Sequence, residues 1–319
     1  MMHFIPIINK WTKVNDHLIK CYCFVFCVLP IITYSQNDET LINQINNQIQ
    51  LLDIQKDSLK IILEELELKS IQEQIKSKAL PEIKKNETLI EHKAMYLVYN
   101  EEHEQAKWVT HMISTNIING KVGRTNDFRK DSLIKTGTAE EKDYFLKRLK
   151  ENTKDHNKSY KYDGFGYDRG HLAPSADFRW SKVALSESYF YSNMSPQIAD
   201  FNRKGWADLE DMIRSYVYEN NQNLFVTTGP VLTNKLPKIE RSINGLSIPD
   251  QFYKIVVDLE NELAIGYLMP HEELKYPVEY YATTIDEIEE ITSINFLHQL
   301  DDDLEKKLES QLNIKDWLP

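Results

Sequence analysis

The stretch that decides the fold reads Tyr167-Asp168-Arg169-Gly170-His171-Leu172-Ala173-Pro174. An acid, a guanidinium, a glycine and an imidazole occupy four successive positions in it. Glycine adopts backbone angles that other residues avoid, so Gly170 is predicted to bend the chain sharply before His171. A neutral imidazole can accept a proton from water, because its ordinary pKa is about 6.5. His171 is therefore the candidate general base.

Further polar residues follow at short intervals downstream. The next run reads Ser192-Asn193-Met194-Ser195-Pro196-Gln197, and Asn202 comes shortly after it. A helix is predicted from about Arg203 to Glu219, because its apolar residues fall on one stripe at helical spacing, namely Trp206, Leu209, Ile213 and Val217. Glu210 and Arg214 lie one turn apart on an adjoining face, where a simple surface ion pair is the alternative interpretation.

These residues, in this order, resemble the DNA/RNA non-specific endonuclease family. Three further segments match the same pattern: Asp127-Phe128-Arg129, Thr228-Gly229-Pro230 and Ile248-Pro249-Asp250-Gln251-Phe252-Tyr253-Lys254. The resemblance covers roughly residues 90–310. It implies that the site is a ββα-metal (His-Me) finger, in which a strand, a loop with a second strand, and a helix bring the functional residues together.

The rest of the hydrophobic pattern predicts an α+β fold. Strand-like runs occur at residues 94–99, 107–113, 224–228, 252–259 and 263–268. From Thr284 the pattern becomes helical, and Thr284 with Glu287 has the spacing of a capping box. The run Asp301-Asp302-Asp303 is predicted to begin another helix. We expect a central, antiparallel-rich sheet flanked by helices. The isolated His103 and His111 are predicted to be surface or packing residues.

Charge is distributed unevenly along the chain. The 319 residues carry a net charge of −11, which argues against tight binding of nucleic acid over a broad surface. Residues 121–182 nevertheless contain fifteen Lys and Arg against ten Asp and Glu, whereas residues 258–319 contain sixteen acids against four Lys. Phosphate binding depends on the local field, so a polyanionic substrate remains compatible with this composition.

The first 35 residues have the features of an export signal. Positively charged residues precede an apolar run of about a dozen residues from Cys21 to Ile32, and Thr33-Tyr34-Ser35 supplies small residues for cleavage. All three cysteines lie at or before Cys27, so the globular part has no disulfide framework and no cysteine-based zinc site. We expect a secreted or periplasmic protein without stable membrane association after cleavage; an uncleaved anchor is the alternative.

Residues 36–81 are predicted to form a separate segment before a globular domain at 82–319. Apolar residues at 38–79 follow two heptad positions, one with Ile42, Ile49 and Leu63, and the other with Ile45, Leu52, Leu59 and Leu66. Lys56 interrupts the first set, and Pro81 ends the pattern. This pattern predicts a coiled coil that joins two copies of the chain. A helix packed on its own domain and a loosely ordered spacer are the alternatives.

The resemblance assigns a role to each candidate residue. It implies that Asn202 binds Mg²⁺ through its amide oxygen, with Mn²⁺ or another divalent cation able to replace it, and that Glu210 holds a metal-bound water. Magnesium keeps its own waters readily, so one protein ligand is enough. A neutral ligand also leaves the charge of the ion available to the phosphate.

Three arginines and an asparagine complete the predicted site. Arg169, Arg129 and Arg214 are expected to neutralise phosphate oxygens by forked hydrogen bonds. Asn193 is expected to position the loop or the substrate, while Asp168 is expected to be structural.

The predicted activity is magnesium-dependent cleavage of DNA and RNA with little sequence preference, because the chain shows no obvious base-reading array. Two other functions remain open from the sequence: an exported, catalytically silent protein for nucleic-acid binding or assembly, and a phosphodiesterase that acts on smaller esters.

Overall fold

The computed structural model describes residues 38–144, 166–240 and 242–317. The chain divides into two compact units, residues 1–60 and 61–319. The predicted export signal at 1–35 lies outside the described residues. In the described part of the chain, no helix is both long enough and apolar enough to cross a bilayer.

Helix α1 extends from Asp38 to Lys78, close to the predicted limits. In the first unit its apolar side chains are exposed to solvent, among them Ile42, Ile45, Ile49, Leu52 and Leu59. Pairing of this helix with another copy stays a prediction. The second unit includes the last turns of α1, where Leu68, Ile71 and Ile75 are buried. These turns therefore pack within the globular unit, although the sequence assigned them to the preceding segment.

Nine strands are present in the described residues: β1 Leu89–Glu91, β2 Met95–Asn100, β3 Gln105–Ile113, β4 Asp168–His171, β5 Met194–Gln197, β6 Leu224–Pro230, β7 Gln251–Asp258, β8 Leu263–Pro270 and β9 Ala282–Thr283. Seven form one antiparallel sheet in the order β1-β2-β3-β6-β7-β8-β9, and β4 pairs with β5 in a second sheet. The remaining helices are α2 Glu141–Tyr144, α3 Lys182–Glu187, α4 Trp206–Asn220, α5 Ile285–Thr292 and α6 Asp302–Glu309. Short 3-10 turns lie at Thr115–Asn119, Ser175–Phe178, Tyr191–Asn193, Val278–Tyr281 and Ile314–Trp317.

Both faces of the large sheet are covered. Successive side chains of a strand point to opposite faces, and here both sets are apolar. On one face Leu97 and Val109 belong to the core that contains Trp206 of α4. On the other, Trp108 packs in a cluster with Ile75 of α1 and further residues of α5 and α6. The predicted antiparallel sheet flanked by helices is confirmed.

The local signals for two C-terminal helices are also confirmed. The hydroxyl of Thr284 accepts a hydrogen bond from the backbone N–H of Glu287 at 3.2 Å. The carboxylate of Asp301 accepts one from the N–H of Asp303 at 3.2 Å and caps α6. Side-chain capping of this kind satisfies donors that a helix start leaves without intrahelical partners.

The predicted bend at Gly170 is wrong. Gly170 lies inside strand β4 opposite Ser195, and it has no positive φ. The absence of a side chain has a different reason, because a Cβ atom at this position would overlap the buried side chain of Gln197. Glycine is needed here for close packing between the two strands, and the backbone stays extended up to His171.

Candidate active site

Strands β4 and β5 and helix α4 form a ββα unit. The two strands pair antiparallel, with His171 opposite Met194. Between β5 and α4 the chain makes a π-helical turn over Phe201–Gly205, which the sequence did not predict; the N–H of Trp206 reaches back to the carbonyl of Phe201. Such turns are rare and frequently occur at functional sites. This one carries Asn202 just before α4.

Asp168 fixes the orientation of Asn202. The amide nitrogen of Asn202 donates to Oδ2 of Asp168 at 3.0 Å. Arg203 donates to both oxygens of the same carboxylate, at 2.7 and 2.6 Å. A carboxylate paired with an arginine can only accept hydrogen bonds, so the NH₂ group of Asn202 must face it. The amide oxygen is thereby left for a ligand, and Asp168 has the structural role expected of it.

Asn193 holds the loop that follows His171. Its Oδ1 accepts the N–H of Ala173 at 2.9 Å, and its Nδ2 donates to the carbonyls of Ala173 and Ser188 at 2.9 and 2.8 Å. The side chain is fully buried and lies outside the cavity described next. Its contacts support positioning of the loop rather than contact with substrate.

A cavity of about 550 Å³ opens between the unit's strands and helix α4. Five of the seven predicted site residues line it, namely Arg169, His171, Asn202, Glu210 and Arg214. Among the described residues its lining holds five arginines and one carboxylate, because Arg124, Arg179 and Arg203 join Arg169 and Arg214. An acidic protein thus has a cavity whose lining carries more cations than anions, and such a cleft attracts anions locally.

His171 is neutral at physiological pH. Burial, and then the positive charges of Arg124 and Arg169, lower the pKa of His171 to about 3. Its ring contacts Tyr189 and Phe128 edge-on, with centroids 5.0 and 5.7 Å away. Within the described part of the chain, the buried Nε2 has no hydrogen-bond partner. A neutral imidazole with an unused nitrogen at a cavity wall can accept a proton from a bound molecule.

Arg169 is held in place by an aromatic ring. Its guanidinium lies over the ring of Phe128 with 3.6 Å to the centroid, and one nitrogen is 3.8 Å from a carboxylate oxygen of Glu141. Stacking keeps the guanidinium plane fixed at the cavity wall.

Buried charges support Glu210 from behind. Burial raises the pKa of the Glu210 carboxyl, although Lys254 and Arg214 oppose this shift. Lys254 is itself buried, and its ammonium donates to Thr228 Oγ1 at 2.7 Å. Arg214 donates to Asp177 Oδ1 at 2.8 Å and also pairs with Asp211. The guanidinium of Arg214 is therefore engaged by two carboxylates, which leaves it less able to bind phosphate.

The other carboxylate oxygen of Asp177 pairs with Nε2 of His111 at 2.8 Å. His103 Nδ1 lies 2.9 Å from the hydroxyl of Ser247. Both histidines are buried, so they are packing residues with hydrogen-bond partners, in agreement with the sequence.

Arg129 does not line the cavity, and Arg124 does. The guanidinium of Arg129 donates to Asp127 Oδ2 and to the carbonyl of Ser186, both at 2.8 Å, and lies 4.0 Å from the ring centroid of Phe190. It stabilises the loop that carries Phe128. Arg124 was missed because two arginines five positions apart in one basic loop cannot be ranked by charge alone.

The cavity fits a hard divalent cation. Asn202 and Glu210 both line it and both offer oxygen donors, which Mg²⁺ prefers. Asp168 accepts a hydrogen bond from the amide nitrogen of Asn202, so the amide oxygen faces away from Asp168. A metal ligand requires this orientation. When bound, such an ion would supply positive charge to a phosphate and its leaving oxygen.

Comparison with known proteins shows which family and fold this chain resembles. The family model for the DNA/RNA non-specific endonucleases matches residues 72–303. A protein of Nostoc sp. named Nuclease is 27% identical over 230 residues, which cover 68% of this chain and 76% of that protein. Mitochondrial endonuclease G of Bos taurus is 31% identical over 152 residues, or 43% of this chain and half of that relative. In the crystal structure of the EndoG/EndoGI complex, a chain with 23% identity has the same fold, with a TM-score of 0.54 over 70% of this chain and 89% of its own length.

Replacing Arg124 should raise the pKa of His171. The Arg124→Gln variant removes a positive charge that disfavours the imidazolium, so His171 is expected to protonate at higher pH than in the unchanged chain. NMR titration of the His171 ring measures this directly. Lys121→Gln removes a positive charge from an exposed side chain nearby in the chain that does not line the cavity, and it serves as the control. Equal shifts in the two variants would contradict a specific effect of Arg124.

Proposed function

Because the chain belongs to the DNA/RNA non-specific endonuclease family, we propose that it cleaves DNA and RNA internally with little sequence preference. As a nuclease it is a phosphodiester hydrolase. The observation that carries the proposal is one cavity lined by His171, Asn202, Glu210 and five arginines. The cavity brings together an imidazole, an amide and a carboxylate, which the chemistry needs. The arginines supply positive charge that is complementary to phosphate.

His171 acts as the general base. The neutral imidazole takes a proton from the water whose oxygen attacks phosphorus, and the bond from phosphorus to the 3′ oxygen breaks. Solvent protonates the leaving 3′ oxygen, and His171 returns its proton to solvent, so the products carry a 5′-phosphate and a 3′-hydroxyl. The low pKa of His171 reflects burial first and then the positive charges of Arg124 and Arg169. A bound phosphate offsets these charges and makes the ring more basic when it is needed.

Arg124 and Arg169 bind the phosphate. Both line the cavity, and Arg169 is pre-oriented by its stacking on Phe128. A guanidinium presents two N–H groups to a phosphate at once and stays charged at any working pH. Arg214 contributes its field from behind Asp177 rather than a direct contact. Contacts restricted to phosphates give little preference among sequences and accept DNA and RNA alike.

The family is one of divalent-metal-dependent nucleases, and the proposed ion is Mg²⁺, which Mn²⁺ or another divalent cation can replace. Asn202 holds it through the amide oxygen, and Glu210 holds one of its waters. Asp168 is a positioning residue, since it fixes the amide of Asn202. Asn193 is a second positioning residue, which fixes the loop after His171.

The His171→Ala variant tests the proposal. Loss of a general base lowers a rate typically by about 10²- to 10⁴-fold, so nicking of a supercoiled plasmid should fall by that factor while DNA binding and the unfolding transition stay unchanged. The Asn202→Ala variant should nick the plasmid more slowly and should need a higher Mg²⁺ concentration to do so. EDTA should stop plasmid nicking by the unchanged chain. Wild-type rates in His171→Ala would remove the assignment. A plasmid that stays supercoiled with the unchanged chain would instead favour a silent binding protein or a phosphodiesterase for smaller esters.

The N-terminal helix joins two copies of the enzyme in this proposal. Along α1 the residues at the two heptad positions are exposed, with Leu52 and Leu59 each 63% exposed. Exposed apolar stripes at this spacing are buried when helices pair as a coiled coil.

Replacing these residues should separate the two copies. The Leu52→Ser/Leu59→Ser variant is expected to halve the mass measured by light scattering. The control is Leu51→Ser/Ile54→Ser, which removes equally exposed apolar residues off the heptad positions. A monomeric unchanged chain, or equal dissociation of both variants, would rule out this coiled coil.

Export completes the proposal, with residues 1–35 as the cleaved signal and the mature nuclease secreted or periplasmic. The length of the apolar run and the small residues before Gln36 support it. Mass spectrometry of the cell-free fraction measures this. We expect it to find a mature chain that begins at Gln36.

A further inference from the structure

Three carboxylates meet where α5 packs against α6. Asp286 and Glu289 lie one turn apart on α5, and Glu309 is the last residue of α6. One oxygen of each can be chosen so that all three lie within 4.8 Å of one another. None of these residues lines the cavity that holds His171. The cluster is thus separate from the proposed catalytic site.

Glu309 is the buried member of the cluster. The residue is only 8% exposed, and its Oε1 has no hydrogen-bond partner among the described residues. The hydrogen bond that the Glu309 side chain does make is with another acid, Glu289. A buried carboxylate oxygen without a partner is costly and rare. The charges that act most strongly on Glu309 are those of Glu289, Glu305 and Asp286, and all are negative. This group lacks the counter-charge that a buried acid normally has.

The other two carboxylates are placed to share a ligand with Glu309. The backbone N–H of Phe296 donates to Oε1 of Glu289 at 2.7 Å, which holds that side chain in position. Asp286 is exposed, so the cluster can be reached from solvent. Lys307 of the adjacent helix pairs with Glu262 instead. The cluster is therefore partly ordered, open on one side and strongly negative.

We propose that Asp286, Glu289 and Glu309 bind a Ca²⁺ ion that fastens α6 to α5. Calcium takes six to eight oxygen ligands at about 2.3 to 2.6 Å, so ligands on opposite sides of it are about 4.6 to 5.2 Å apart. The corresponding span for Mg²⁺ is about 4.0 to 4.2 Å, with a strict octahedral arrangement. The three chosen oxygens lie within 4.8 Å of one another, which is inside the span of a Ca²⁺ shell. Calcium also accepts irregular sets of carboxylates, whereas Mg²⁺ demands a near-ideal octahedron, and water completes the shell on the exposed side.

The melting temperature of the full chain at pH 7.5 tests the site. The protein is first stripped with EDTA, and then CaCl₂ or MgCl₂ is added. At a free Ca²⁺ concentration about a hundredfold above Kd, a rise of about 4 to 5 °C is expected for a chain of this size. Magnesium at the same concentration should give a smaller rise.

Variants assign that rise to the cluster. Asp286→Asn changes an exposed side chain and should fold normally, yet it should lose most of the Ca²⁺ effect; Glu309→Gln should lose it too. Glu290→Gln, an exposed acid on the same helix, is the matched control and should keep it. Asn202→Ala should also keep it, because the catalytic cavity is not involved.

Three results would overturn the proposal. The first is an unchanged melting temperature in Ca²⁺, as expected if Glu289 and Glu309 share a proton instead of a cation. The second is a full Ca²⁺ effect in Asp286→Asn, or its loss in Asn202→Ala, which would locate the ion in the catalytic cavity. The third is an equal or larger rise with Mg²⁺. None of them depends on whether the plasmid is cleaved.

Discussion

The carboxylate of Asp168 is the constraint on which the site depends. It lies on β4, three residues before His171, and it accepts hydrogen bonds from Asn202 and Arg203 in the π-helical turn. One side chain thus joins the strand of the proposed base to the turn of the proposed metal ligand. Because the bidentate pair with Arg203 fixes both oxygens, the amide of Asn202 has one orientation. The separation of the two functional groups follows from this single contact and from the pairing of β4 with β5.

Buried charged residues behind the cavity wall are paired with one another or hydrogen-bonded. Arg214 is neutralised by Asp177 and Asp211, while Asp177 also pairs with His111. Lys254 is buried behind Glu210 and hydrogen-bonded to Thr228. Unpaired buried charges are costly, whereas paired ones hold a defined geometry. Arg124 and Arg169 also line the cavity and add positive charge at its wall.

Sequence patterns predicted the sheet and its helices well, because alternating apolar residues and capping signals act locally, as at Thr284 and Asp301. They also identified five residues of one cavity, since their spacing matched a known motif. They failed where tertiary packing decides. Gly170 was predicted to bend the chain. The structure shows instead that a side chain at this position would overlap Gln197, which explains why glycine is needed there. Arg129 and Arg124 have the same chemistry, and only the folded loop places Arg124 at the cavity. The π-helical turn at Phe201–Gly205 was not predicted, because no sequence pattern identified it.

The two proposed cation sites have opposite compositions for a physical reason. In the cavity a neutral amide and a single carboxylate stand among five arginines, so an ion there keeps most of its charge for a substrate phosphate. Between α5 and α6, three carboxylates would cancel the charge of a bound ion and leave nothing for a substrate. The first arrangement is suited to chemistry and the second to stability. A chain whose acids are concentrated after residue 258 and whose arginines converge on one cavity can hold both without competition between them.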